Sequence, residues 1–234
     1  MCDIFAMERT RVISDAEVAD AYARGIGIRL LSSSSERAKI LSEAGFRDVA
    51  VHPVRDVESG QDFLVKCNPS EFVRDTCLRK VDAALRDQYV SDSLGDVSSD
   101  SFFIVADTIC FVGKSCCGTV VGKCRSDDEF DEAFAIYRGV PSVFAMTYQV
   151  EFGILRGERF EHRACGIGSV KFGGCLSEGF VSAYRDSMFW KGRAGGIECA
   201  RFMKSGFETD GHPEVIRGLV PDWKGGAFGS AVLF

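Results

Sequence analysis

Two long β-rich stretches, residues 143–155 and 160–172, are separated by Arg156-Gly157-Glu158, a turn sequence that predicts a long antiparallel hairpin. Such a hairpin has to lie in a larger sheet, because an isolated one is marginal in water. The segments before it supply the rest. Residues 28–31 and 49–54 are short apolar runs, and residues 36–44 between them place Ala38, Ile40, Leu41 and Ala44 on a helical period stopped by Gly45. Residues 69–90 form the clearest helical pattern: Phe72, Val73, Cys77, Val81, Ala84 and Leu85 recur at three- and four-residue steps, with Pro69 in the first turn. Residues 102–105 and 109–112 are expected as two strands, Ser126-Asp127-Asp128-Glu129 as a capping box opening a helix to about Tyr137, and residues 177–185 as a helix. Strands alternating with helices and then a hairpin predict a mixed α/β domain. Residues 1–27 and the polar run 91–101 are the least globular stretches, so the expected division is an N-terminal extension over 1–27 and one domain over 28–234.

The 234 residues are enough to bury about 70% of the unfolded surface. Net charge is -6, so no overall basic field recruits nucleic acid, although a local basic site for one phosphorylated ligand remains compatible with it. The apolar run 102–106 stops at Asp107, and nothing approaches the roughly 20 apolar residues of a membrane span. The first dozen residues carry Asp3 and Glu8 without a long apolar stretch, which predicts a cytoplasmic protein. None of the 10 cysteines shows C-x2-C spacing, and Cys116 and Cys117 are adjacent, so reduced thiols without metal are expected.

Familiar nucleotide motifs fail. Gly113-Lys114-Ser115 has Thr108 where a P-loop needs its first glycine, and Gly122-Lys123 is followed by Cys124. Gly25-Ile26-Gly27 lacks a third glycine, and neither Ser182 nor Ser187 lies in a nucleophile elbow. Two places remain. Ser32–Ser35 sits between an apolar strand and a helix, where hydroxyls, backbone N–H groups and the fork of Arg37 can cradle an anion; a plain serine N-cap is the alternative. Asp107 ends an apolar run, and a carboxylate there is costly unless it binds a cation or handles a proton; a strand-end turn is the alternative. Lys80 is expected on the polar side of its helix and Lys123 in a glycine-flanked loop. Glu58 closes the acidic stretch Asp56-Val57-Glu58.

In order, these segments resemble the Maf family of nucleoside triphosphate pyrophosphatases, which is related to inosine triphosphatase. The family's S-x-S-P-R-R is Ser32-Ser33-Ser34-Ser35-Glu36-Arg37 here, with serine and glutamate in place of its proline and first arginine. Its A-D-T-[IV]-V is Ala106-Asp107-Thr108-Ile109-Cys110, its helical lysine is Lys80, and its G-K-P is Gly122-Lys123-Cys124. Thr147, Arg193-Ala194-Gly195-Gly196-Ile197 and Ile216-Arg217-Gly218-Leu219-Val220 follow in order, so the resemblance spans about residues 28–221.

The resemblance implies an elongated two-lobed α/β fold of the inosine triphosphatase type with a central cleft. It also implies hydrolysis of a nucleoside triphosphate to the monophosphate and pyrophosphate with Mg2+ or Mn2+. Asp107 would activate water, and Glu58 and Asp107 would hold the metal. Ser32, Ser34, Arg37, Lys80, Thr108 and Lys123 would bind phosphates. Thr108 resembles the branch acting on dTTP and UTP, whereas Gly122 and His212-Pro213 resemble the branch acting on 7-methyl-GTP; Ala200 stands where either branch reads the base. House-cleaning of non-canonical nucleotides and a homodimeric state fit the same resemblance. The rival reading is a nucleotide-binding regulatory protein on this fold, linked to cell division and septum formation.

Overall fold

The computed structural model describes residues 10–54, 63–96, 98–172 and 176–221. In chain order these form β1 (Arg11–Val12), α1 (Asp15–Ala23), β2 (Ile28–Leu30), α2 (Ser35–Glu43), β3 (Val49–Val51), β4 (Leu64–Cys67), α3 (Pro69–Leu85) and α4 (Gln88–Gly95). They continue with β5 (Ser101–Lys114), β6 (Cys117–Val121), α5 (Asp127–Arg138), β7 (Ser142–Leu155), β8 (Glu158–Lys171), α6 (Glu178–Asp186), α7 (Cys199–Lys204), β9 (Glu208–Asp210) and α8 (Pro213–Arg217).

The expected hairpin is present as β7 and β8, paired from Ser142↔Lys171 to Leu155↔Glu158. It forms the spine of one mixed sheet with the order β1-β8-β7-β5-β2-β3. β2 runs parallel to β3 and β5, while β5, β7 and β8 are antiparallel neighbours. β6 pairs with β5 and β4, and β9 pairs with β8. The molecule is therefore mixed α/β, as the alternation of elements predicts.

β5 is a single strand, not the two expected. Asp107 and Thr108 stay in the ladder, opposite Tyr148 and Thr147, because a polar side chain does not interrupt backbone pairing. Asp107 consequently lies within a buried strand and not at a strand end. Successive β5 side chains alternate between faces. Phe102, Ile104 and Ala106 pack with Ile28, Leu30, Ile40 and Leu41. Phe103 and Val105 pack with Cys77, Val81 and Ala84 of α3. A third cluster around Phe134, Tyr137, Trp190 and Phe202 fills the space under α5, α6 and α7.

Four further expectations are corrected. The helix expected over 69–90 breaks after Leu85, because Asp87 caps a new helix by accepting from Tyr89 N–H at 3.0 Å. That new helix, α4, occupies part of the polar run expected as a loop, and buries Val90. Residues 15–23, expected as part of a poorly structured extension, form α1. The Glu17 carboxylate accepts from the Ser14 N–H and hydroxyl, both at 3.0 Å, and Val18, Ala21 and Tyr22 are buried against the β2 side of the sheet. The strand expected over 49–54 ends at Val51.

No helix among the described residues is long and apolar enough to cross a membrane. The thiols divide sharply. Burial pushes Cys110 and Cys124 up to about 12, and burial beside the Asp107 carboxylate does the same to Cys77, whereas Cys116 and Cys117 are exposed. Iodoacetamide at about pH 8 should therefore label Cys116 and Cys117 in the native protein and spare Cys77, Cys110 and Cys124 until denaturant is added. Mass mapping checks this; Cys77 labelled as fast as Cys116 contradicts the buried assignment.

Candidate active site

The site opens where the sheet has a gap. On the β5 edge away from β7, β2 pairs as far as Ile104 and β6 pairs from Cys110 onward. The stretch 105–109 between them has no strand on that side among the described residues, so side chains from both faces reach one cavity. Its volume is about 520 Å³, and its lining includes Ser32–Arg37, Lys80, Asp107, Thr108, Lys123, Met188, Phe189, Lys191, Arg193, Glu198 and Arg217. The C-terminal end of the parallel strand β2 and the start of α2 face it, the usual place for a ligand in a sheet of this kind.

Each side chain has an identifiable support. Asp107 is 5% exposed, and its Oδ1 accepts from Lys80 Nζ at 2.5 Å. Lys80 reaches it because α3 packs on the Phe103 and Val105 face of β5, on the side to which Asp107 also points by strand alternation. Lys80 is thus largely buried in an ion pair and does not lie on a polar helix face. Arg37 is fixed at three atoms: Nε donates to Gly218 O at 2.8 Å, Nη1 to Ser32 Oγ at 2.9 Å and Nη2 to Thr108 Oγ1 at 3.2 Å. Thr108 and Thr147 hydroxyls are 2.9 Å apart, and Thr147 donates on to Val215 O at 2.7 Å. Strand β7 thereby holds the loop that holds Arg37. Gly218 has φ 117, a backbone conformation that favours glycine, and a Cβ there would also crowd Arg37 Nε at 3.1 Å.

Ser34 is the N-cap of α2, accepting from Arg37 N–H at 3.4 Å, and Ser32 Oγ accepts from Ser34 N–H at 3.1 Å. Both serines therefore shape the turn as well as line the cavity. Lys123 leaves β6 and bridges to Ala194, with Gly195 N–H donating to Gly122 O at 2.8 Å. Glu36, in place of the family's arginine, accepts from Arg217 Nε at 3.2 Å. Glu58 lies outside the described residues. Ala200 is exposed on α7, and its neighbours Glu198 and Cys199 line the cavity instead.

The structure thus brings Ser32, Ser34, Arg37, Lys80, Asp107, Thr108 and Lys123 to one cavity. Sequence reasoning did not single out Lys191, Arg217 or Phe189. Nothing marks Lys191 or Phe189 in the sequence, whereas Arg217 sits inside the closing motif Ile216-Arg217-Gly218-Leu219-Val220. Among the lining residues six are lysine or arginine and three are aspartate or glutamate, in a chain whose net charge is -6. An anionic ligand suits that balance.

The family model for Maf-like proteins matches residues 27–220. This chain belongs to the Maf-like family. Membership points to nucleotide-binding, pyrophosphatase-type chemistry, of the hydrolase kind that handles nucleotides. The match begins just before β2 and ends at Val220, so β1 and α1 lie outside it although they pack on the same sheet. No curated protein matches this Maf-like chain.

Proposed function

We propose that the chain hydrolyses a nucleoside triphosphate to the monophosphate and pyrophosphate. The observation that supports this most is that one cavity is lined by six cationic side chains together with the buried Asp107 carboxylate, which Lys80 touches directly. On this reading the cavity would be the cleft of a two-lobed, elongated fold, with β2, α2 and α3 on one side and α5, α6 and α7 on the other.

Attack of water on the α-phosphorus with pyrophosphate leaving is a displacement, so the protein's task is positioning and charge neutralisation. Arg37, Lys123 and Arg193 would hold phosphate oxygens, with Ser32 and Ser34 shaping the turn before α2 and offering their hydroxyls, and Thr108 on β5 accepting from Arg37. Asp107 would accept the proton of the attacking water. Lys80, 2.5 Å from Asp107, would keep that carboxylate oriented and offer its charge to the phosphates.

A divalent cation, Mg2+ or Mn2+, fits the donor set. Asp107 supplies a hard carboxylate oxygen at the cavity, and Mg2+ commonly takes one or two carboxylates with water and phosphate oxygens completing its shell. Asp107 would hold it, with Glu58 as a second ligand. Bound there, the ion would neutralise charge on the leaving pyrophosphate. The preferred base belongs to either dTTP and UTP or a modified nucleotide such as 7-methyl-GTP, consistent with house-cleaning in the cytoplasm.

A weakly catalytic nucleotide-binding protein, linked to septum formation, is the second reading. It is favoured by Glu36, whose pairing with Arg217 neutralises a cation at the position where the family has another. Pyrophosphate release from a panel of ordinary and modified triphosphates, with Mg2+ and with Mn2+, separates the two. We expect release from at least one triphosphate that disappears on chelation. Saturable nucleotide binding without any release selects the second reading.

A further inference from the structure

Two large apolar side chains in the cavity lining are exposed, Met188 at 46% and Phe189 at 41%, whereas Leu31, Ile197 and Ile216 in the same lining are buried. They follow the end of α6 in a turn that is rigidly built. Met188 has φ 57, a left-handed conformation costly for a side chain of its size. Trp190, fully buried, pins the turn from below and donates from Nε1 to Arg185 O at 2.9 Å. Arg193 Nε donates to Phe189 O at 2.7 Å, and Gly192 N–H donates to Cys124 O at 2.7 Å. The Arg201 guanidinium lies 3.9 Å from the centroid of the Phe189 ring. The turn thus combines a left-handed residue with several hydrogen bonds that fix its shape, and it leaves an aromatic ring partly exposed at the cavity. A ring braced on one side by a guanidinium is a stacking surface for a flat π-system.

We propose that Phe189 is the stacking platform for the nucleobase of the ligand, with Arg201 as the brace that fixes its ring. This rests on the nucleotide reading of the cavity and deepens it. The cationic end would recognise phosphates, whatever they are attached to, and Phe189 would select phosphates that carry a planar base over inorganic polyphosphate. Stacking on one aromatic face is tolerant of base identity, so the platform supplies affinity for nucleotides as a class.

The test is calorimetric binding on the full chain, with uridine diphosphate, guanosine diphosphate and inorganic pyrophosphate as separate ligands. Phe189→Ala should weaken both nucleoside diphosphates about 5- to 100-fold while pyrophosphate stays within about twofold. Phe189→Trp should keep nucleotide affinity, and its added indole emission should be quenched by the nucleotides and not by pyrophosphate. Nucleotide affinity unchanged in Phe189→Ala overturns the proposal, as does an equal loss for pyrophosphate, which would make the ring a prop for the turn. The outcome is separable from that of the hydrolytic reading. A parent protein that binds nucleotides through Phe189 but releases no pyrophosphate keeps the platform and removes the pyrophosphatase activity, and one that binds neither ligand removes both.

Discussion

Asp107→Asn is expected to lower kcat for pyrophosphate release by about 10²–10⁴ while leaving the fold intact, the range typical of losing a positioned general base. The fold should survive because the amide oxygen of asparagine still accepts from Lys80 Nζ, and β5 keeps its backbone pairing with β7 on both sides of the substitution. What disappears is the proton acceptor and the charge that a metal ion would use. Lys80→Ala is a less clean probe. It strands a carboxylate that is 5% exposed, and an unpaired buried charge is destabilising in itself. Circular dichroism serves as the folding control. A folded Asp107→Asn protein with parental kcat removes Asp107 from the chemistry.

Gly195→Ala should be the most damaging single methyl group near the site. Gly195 has φ 58, and a Cβ there would fall 2.5 Å from both the Cys110 Cβ and the Tyr137 hydroxyl, two fully packed side chains with no room to retreat. The Tyr137 hydroxyl also donates to Gly195 O at 2.8 Å, so displacing the backbone breaks that bond as well. Left-handed strain and overpacking together should cost about 3 kcal/mol, which lowers Tm by roughly 6–12 °C in a chain of this size. Because Gly195 N–H ties the turn to Gly122, next to Lys123, binding of phosphate ligands should weaken in the same variant. A Tm within about 2 °C of the parent would show that the packing around Cys110 yields more easily than the contacts imply.

Much of the architecture was legible because it is written in local patterns. The β7–β8 hairpin follows from two long β-rich runs around Arg156-Gly157-Glu158, α5 from the serine cap at Ser126, and α2 from the helical period that Gly45 stops. The failures lie where tertiary pairing overrides local signals. Asp107 and Thr108 looked like a strand break, yet the neighbouring strand β7 carries the ladder through them. Asp87 ended a helix that its apolar period would have continued, because a carboxylate at that position can cap the next one. In the site, Asp107, Lys80 and Arg37 were named from motifs and chemistry, and each lines the cavity. Their mutual geometry was not legible: the Lys80–Asp107 pair spans 27 residues of sequence, and the hold of Gly218 on Arg37 spans 181. Phe189 was invisible for a different reason, since a single phenylalanine among 19 carries no signal until its exposure is known.

Hydrolysis in water enriched in the heavy oxygen isotope tests the central claim most directly, because it reports which phosphorus is attacked. Turnover of an accepted triphosphate should place one solvent oxygen in the nucleoside monophosphate and none in the pyrophosphate, with the two products formed in equal amounts. Mass spectrometry of both products reads the result. Solvent oxygen in pyrophosphate or in orthophosphate, or formation of nucleoside diphosphate in place of monophosphate, would mean that the cavity directs water to a different phosphorus and would contradict the role assigned to Asp107.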